Sequence, residues 1–273
     1  EGSLTPPLNG DIVFDHVSFS YEEGNRVLDG LCMTIPAGKT VALLGNTGSG
    51  KSTLVHLLQR LIEPDEGRIT IGGVDIRSID RWYLRAHVGL MLQEPFLYGR
   101  SVMGNLSIAV PDAPESSVLE MSRIAHADGF IREFENGYDT LIGERGVTLS
   151  GGQRQRVAIA RTLLKENDVL IFDDSLSAVD MQTDRAIREA LREKRKGVTT
   201  IIISHRINTL CEADRIFVLE GGKLADEGTH EELTRRDGLY RQIYAIQSAL
   251  EDNLNRSREA VRKEEEACRD LTR

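Results

Sequence analysis

The segment GNTGSGKST, residues 45 to 53, sets Gly45, Gly50, Lys51 and Ser52 in the spacing G-x-x-x-x-G-K-[ST]. It follows directly on the apolar run TVALL. Glycines at these positions let the backbone close around a phosphate with its N–H groups pointing inward. A helix starting near Lys51 adds the positive end of its dipole. In such a loop Asn46, Thr47, Gly48, Ser49 and Thr53 surround the phosphates, the Lys51 ammonium reaches the β- and γ-phosphates, and the Ser52 hydroxyl meets Mg²⁺. The alternative is a plain glycine-rich strand–helix turn. The strand before, the helix after and the Lys-Ser pair count against it.

A second chemical signal is VLIFDDSLSAVD, residues 169 to 180, where four apolar residues run into Asp173 and Asp174. A buried strand ending in paired acids suits a metal and a base. Asp173 stands where P-loop nucleotidases hold Mg²⁺. Taken alone, it could simply cap the next turn. The third signal is LSGGQRQR, residues 149 to 156. Ser150 followed by Gln153 has the form of a capping box at a helix start. Ser150, Gly151 and Gly152 also make a helix N-terminus with little side-chain bulk, which suits an anion. One nucleotide does not need two such sites, unless the second serves a nucleotide held by another molecule.

The elements that must position these residues can be read from periodicity. IVFDHVSFSY alternates as a strand. GLCMTIPAG and KTVALLG follow as strands broken at Pro36-Ala37-Gly38, and GRITIGGVDI reads as a hairpin turning at Gly72-Gly73. Residues 115 to 135 and GQRQRVAIARTLLK carry helical spacing. From residue 168 the order is strand (VLIFD), helix (MQTDRAIREALREK), strand (TTIIIS), which implies parallel strands with crossover helices. RIFVLEGGKLADEG is another hairpin. Residues 250 to 273 are strongly charged with a thin apolar stripe, and are expected as an exposed helical extension or tail.

Composition narrows the class. With 273 residues, 40% hydrophobic and 28% charged, the chain is an ordinary globular one. No stretch approaches the roughly 18 consecutive apolar residues of a membrane span. Cys32, Cys211 and Cys268 lack metal-ligand spacing and form no disulfide framework, so reduced thiols in a cytosolic protein are expected. The net charge of −9 argues against a nucleic-acid partner. An anionic ligand must then be held by local donors and not by the overall field.

Together GNTGSGKST, LSGGQ, VLIFD, SAVD and SHR, in this order over roughly residues 10 to 245, resemble the nucleotide-binding domain of ATP-binding-cassette (ABC) transporters. The resemblance implies an α/β fold: a P-loop nucleotidase core with a parallel sheet, an N-terminal antiparallel β subdomain, and an α-helical subdomain, about residues 94–166, carrying LSGGQ. It implies a linker or cut edge at 1–10, the domain itself at 11–249, and an extension at 250–273. The start EGSLTPPLNG fits a fragment cut from a longer exporter.

The same resemblance assigns roles residue by residue. Tyr21 matches the aromatic residue that stacks on adenine. Gln93, in LQEPFLY, matches the Q-loop, with metal and catalytic duties. Glu144, in IGERG, matches the exporter segment that meets the coupling helices of the membrane domain. Asp180 matches the loop crossing the dimer interface, and His205 the histidine on the γ-phosphate. Ser150, Gly151, Gly152 and Gln153 would act on ATP held by a second cassette. The implied function is Mg-ATP binding and hydrolysis by two cassettes dimerised head to tail, driving the transmembrane domains of an exporter at the cytoplasmic face of the membrane.

The family usually carries Glu where this chain has Asp174. The shorter side chain, together with DDSLSAVD, resembles the degenerate-site subunit of bacterial heterodimeric exporters, in which one site turns over slowly. A homodimeric exporter with a competent site, a non-transport ABC ATPase, and a module that uses ATP only as a closure ligand stand as alternatives.

Overall fold

The computed structural model describes residues 2–143, 147–173, 183, 185, 187–189, 193, 197–250 and 253. Two sheets organise them. An antiparallel sheet in the order β2-β1-β4-β5 is built from β1 (Ile12–Glu22), β2 (Asn25–Ile35), β4 (Glu66–Ile71) and β5 (Val74–Asp75). A six-stranded sheet runs β10-β9-β3-β8-β7-β6, with β3 (Thr40–Gly45), β6 (Val88–Met91), β7 (Val169–Asp173), β8 (Thr199–Ile203), β9 (Arg215–Glu220) and β10 (Lys223–Gly228). Within it β9, β3, β8, β7 and β6 are parallel, and β10 closes one edge as the antiparallel arm of a hairpin.

The near-continuous apolar runs of β3 and β7 reflect burial on both faces of this second sheet. Val41 and Leu43 face the core shared with the antiparallel sheet and helix α1 (Lys51–Leu58), whereas Ala42 and Leu44 face a core with Ile207, Leu210 and Tyr240. Likewise Val169 and Ile171 face the first core, while Leu170 and Phe172 face a third core under the helices. That third core joins α3 (Val102–Ser107), α4 (Glu115–Ile124), α5 (Asp128–Arg132) and α6 (Gly151–Leu164). Helix α2 (Arg81–His87) leads directly into β6.

Three details depart from the periodicity reading. The helical spacing over 115 to 135 resolves into α4 and α5, because His126 sits at φ 53 between the fully buried Ala125 and Ala127. Strand β2 begins at Asn25, ahead of the expected Gly30, because it pairs with β1 down to Glu22↔Asn25 at the hairpin turn. Its first residues are polar and carry no alternation signal. Strand β6 is four residues long, too short to show a period.

A C-terminal helix at residues 239–250 packs Tyr240, Leu239 and Ile243 against the second-face core. The expectation for the 250–273 tail falls almost wholly outside the described residues. Among the described residues no helix is long and apolar enough to cross a membrane.

Candidate functional site

The loop from Gly45 to Thr53 joins β3 to α1. Its shape needs glycine at Gly48 (φ 82) and Gly50 (φ 99), a left-handed backbone that side chains disfavour. At Gly50 a Cβ would also lie 2.5 Å from Leu28 Cδ2 and 3.1 Å from the Val27 carbonyl. Lys51 is buried to 8% exposure, and its ammonium donates to the Gly45 carbonyl at 2.7 Å, the Asn46 carbonyl at 3.0 Å and Ser49 Oγ at 3.3 Å. The loop therefore holds its own cation at its centre. Ser52 is exposed and Thr53 buried, with Thr53 Oγ1 3.3 Å from the Tyr21 hydroxyl.

A cleft of about 560 Å³ opens over this loop. Thr47, Gly48, Gly50, Lys51, Ser52 and Thr53 line it, and so do Tyr21, Gln93, Asp173 and His205. Asp173 comes at the C-terminal end of β7, Gln93 just past β6, and His205 just past β8. In open α/β sheets ligands bind in the crevice beyond the carboxyl ends of the strands. Five sequence-separated segments thus meet at one crevice. Tyr21 is 58% exposed and packs edge-on against Phe19, ring centroids 4.9 Å apart, which braces the ring while leaving much of it open to the cleft.

Ser52, Gln93 and Asp173 offer a hydroxyl, an amide and a carboxylate to the same cleft. Such oxygen donors suit Mg²⁺, which is held by one or two protein ligands plus substrate phosphates. The cleft wall also includes Asn25, Arg26 and Val27 from the start of β2, which motif reading did not single out. The Arg26 guanidinium is held by Asp29 at 2.8 Å and Glu66 at 3.1 Å. No linear pattern points to these residues, because it is the β1–β2 hairpin that carries them to the loop.

The Ser150–Gln153 segment lies elsewhere. The capping box is present: Ser150 Oγ accepts from the Gln153 N–H at 3.3 Å, and Gln153 Oε1 accepts from the Ser150 N–H at 2.9 Å. Ser150 and Gly151 are exposed, and a Cβ on Gly151 would meet nothing within 4 Å. None of residues 150–153 lines the P-loop cleft. Gly151 instead borders a groove of about 760 Å³ with Gln93, Glu94, Phe96, Leu97 and Ile142 among its walls. Phe96 is 69% exposed there, and its carbonyl accepts from Arg161 of α6 at 3.1 Å. Gln93 lines both the cleft and the groove. Asp174, Asp180 and Glu144 lie outside the described residues.

Three comparisons with known proteins bear on this arrangement. The ABC transporter family profile matches residues 28–177. The mitochondrial potassium channel ATP-binding subunit of Xenopus tropicalis is 48% identical over 250 residues, covering 90% of this chain and 36% of that protein. The alpha-hemolysin translocation ATP-binding protein HlyB of Escherichia coli O157:H7 is 42% identical over 248 residues, covering 90% of this chain and 35% of that one. A solved structure of a bacterial Atm1-family ABC exporter with ATP bound superposes with a TM-score of 0.86 at 40% identity, over 90% of this chain and 43% of that chain. The chain spans about a third of the length of these two curated relatives.

Proposed function

Because this chain belongs to the ABC transporter family, and exporters are among its relatives, we propose that it is the ATP-driven motor of an exporter, acting in pairs at the cytoplasmic face of a membrane. The observation that carries the reading is an incomplete site. The cleft gathers Lys51, Ser52, Gln93, Asp173 and His205, yet residues 150–153 stand outside it with an open, exposed helix start. A second cassette docked head to tail would bring its own Ser150, Gly151, Gly152 and Gln153 to the nucleotide. Closure by ATP and reopening after hydrolysis would then move the attached membrane domains.

In this reading Tyr21 stacks on the adenine, and the loop N–H groups and Lys51 hold the phosphates. Ser52, Gln93 and Asp173 would hold Mg²⁺, which neutralises charge on the transferring phosphoryl group. His205 reaches the terminal phosphate from the end of β8. Asp174 orients or deprotonates the attacking water. The apolar groove around Phe96 and Ile142 supports docking of a membrane domain, and Gln93, shared by groove and cleft, would link that contact to the nucleotide.

The finer proposal concerns Asp174. Asp and Glu have nearly the same intrinsic pKa, so the difference is reach. A side chain shorter by about 1 Å can cost about 10²-fold in rate. The chain would then give a weak site to a heterodimer and an intact LSGGQ to the competent site of its partner. The test is turnover of the chain and of Asp174→Glu at equal ATP occupancy and dimer concentration. We expect a rise of about tenfold or more, at least about 1.4 kcal/mol of barrier, in the variant. Equal turnover would make Asp174 a competent base and remove the degenerate-site reading.

A further inference from the structure

The segment that presents His205 is gripped from outside the P-loop core. Gln247, on the C-terminal helix, donates from Nε2 to the His205 carbonyl at 2.6 Å and accepts at Oε1 from the Ile207 N–H at 2.9 Å. One planar carboxamide thus bridges two backbone groups two residues apart, on either side of Arg206. Only an amide side chain offers a donor and an acceptor side by side in this way. The contact is long-range, 42 and 40 residues along the chain. Locally, the Arg206 N–H donates to Ser204 Oγ at 3.1 Å, and the Arg206 carbonyl accepts from the Thr209 and Leu210 N–H groups at 3.0 and 3.1 Å.

The helix that carries Gln247 is firmly seated. Tyr240 is 2% exposed, its hydroxyl is 2.7 Å from His230 Nδ1, and Leu239 and Ile243 pack with it on Ile207 and Leu210. Gln247 itself is half-buried, whereas the His205 side chain is exposed toward the cleft. The helix therefore grips both the turn that begins at His205 and the short helix Ile207–Leu210 that follows it.

We propose that Gln247 is a positioning residue that fixes the backbone of His205, so that the C-terminal helix sets the reach of this histidine toward the terminal phosphate. This rests on the reading of His205 given above. A shift of the helix would carry the His205 carbonyl with it, and a misplacement of about 1 Å at a reacting centre is enough to matter. Gln247 does not line the cleft. Its removal should therefore act on the rate of the bound state and leave nucleotide affinity alone.

The test uses the chain with four changes: Gln247→Met, which keeps length and helix propensity but removes both bonds; Gln247→Glu, which keeps the acceptor for Ile207 and sets a carboxylate oxygen against the His205 carbonyl; His205→Ala; and Gln247→Met with His205→Ala. ATP affinity is read by calorimetry, turnover at saturating ATP, and folding by thermal unfolding. We expect Gln247→Met and Gln247→Glu to lower turnover about tenfold with affinity within about twofold of the parent, the pattern of a transition-state effect. In the His205→Ala background Gln247→Met should cost nothing further. An equal fractional loss in both backgrounds, or turnover unchanged in both single Gln247 variants, overturns the proposal. Failure of the underlying reading shows separately: His205→Ala alone would turn over as fast as the parent, and the proposal would fall with it.

Discussion

Two helix N-termini in this chain are proposed to meet a phosphate, and they are built in opposite ways. Helix α1 starts at Gly50 with φ 99, no side-chain cap, and a lysine folded back into the loop. Helix α6 starts at Ser150 with φ −64 and a complete capping box. The first is crowded, with Leu28 and the Val27 carbonyl against Gly50; the second is open, with nothing near Gly151. The first leaves its leading N–H groups free of side-chain caps, for a ligand in its own cleft. The second has its cap satisfied internally and stands ready on the surface. A helix start that must hold a phosphate unaided needs strain and a cation. On the proposed reading, one that closes over a phosphate held by another molecule uses a stable, unobstructed end.

The largest expected effect tests the first terminus. Lys51→Ala removes the loop's central cation, and charge-assisted hydrogen bonds of this kind contribute about 1.5–3 kcal/mol each. Mg-ATP affinity measured by calorimetry should fall by about a hundredfold while thermal unfolding shows that the chain remains folded. Equal affinity would remove the contrast between the two ends.

Gly50→Ala comes next. It combines a left-handed backbone with a contact at 2.5 Å, and strain of this type costs about 1–3 kcal/mol. Denaturant unfolding should show that loss. A variant as stable as the parent would mean the loop is not held in the strained form.

At the second terminus the effects shrink. Ser150→Ala removes one of the two capping-box bonds but leaves the Gln153 side chain on the Ser150 N–H. A loss of about 1 kcal/mol by the same assay is expected. Gly151→Asp should be the mildest on the free chain, within about 0.5 kcal/mol, since the space is open and an acid suits the first helical turn. Its own ATP binding should survive, and ATP-dependent dimerisation by light scattering should be lost. If monomer ATP binding fell as far as dimerisation did, LSGGQ would be acting on its own chain's nucleotide.

Much of this contrast was legible in the sequence, because both termini are local. Residues 45–53 and 149–156 carry their glycines, cap and lysine in consecutive positions, and strands such as β1 and β3 declare themselves by alternation or by a continuous apolar run. The capping box between Ser150 and Gln153 formed as its spacing required. What stayed hidden is what the fold brings from a distance. Arg26 reaches the cleft only through a hairpin whose tip is polar, and Gln247 meets His205 across 42 residues. A glutamine within LYRQIYAIQSAL has no spacing signal. The break at His126 was equally silent, because it depends on tight packing of its neighbouring alanines in the third core.

The placement of β3 has a consequence for how the chain is made. The strand that carries the phosphate loop pairs with β8 on one side and β9 on the other. The residues that lock its entry, Thr199 on Gly38 and Asp214 on Thr40, lie 161 and 174 positions further along. At synthesis rates of about 5–20 residues per second, β3 leaves the ribosome about 8–32 seconds before its first neighbour, β8, exists. The helices between α3 and α6 can meet one another in that interval, because their mutual contacts close over shorter separations. During translation the nucleotide loop is therefore among the earliest segments synthesised and among the last to be framed. A ribosome stalled before β8 should yield a chain with protected helices and an unprotected β3.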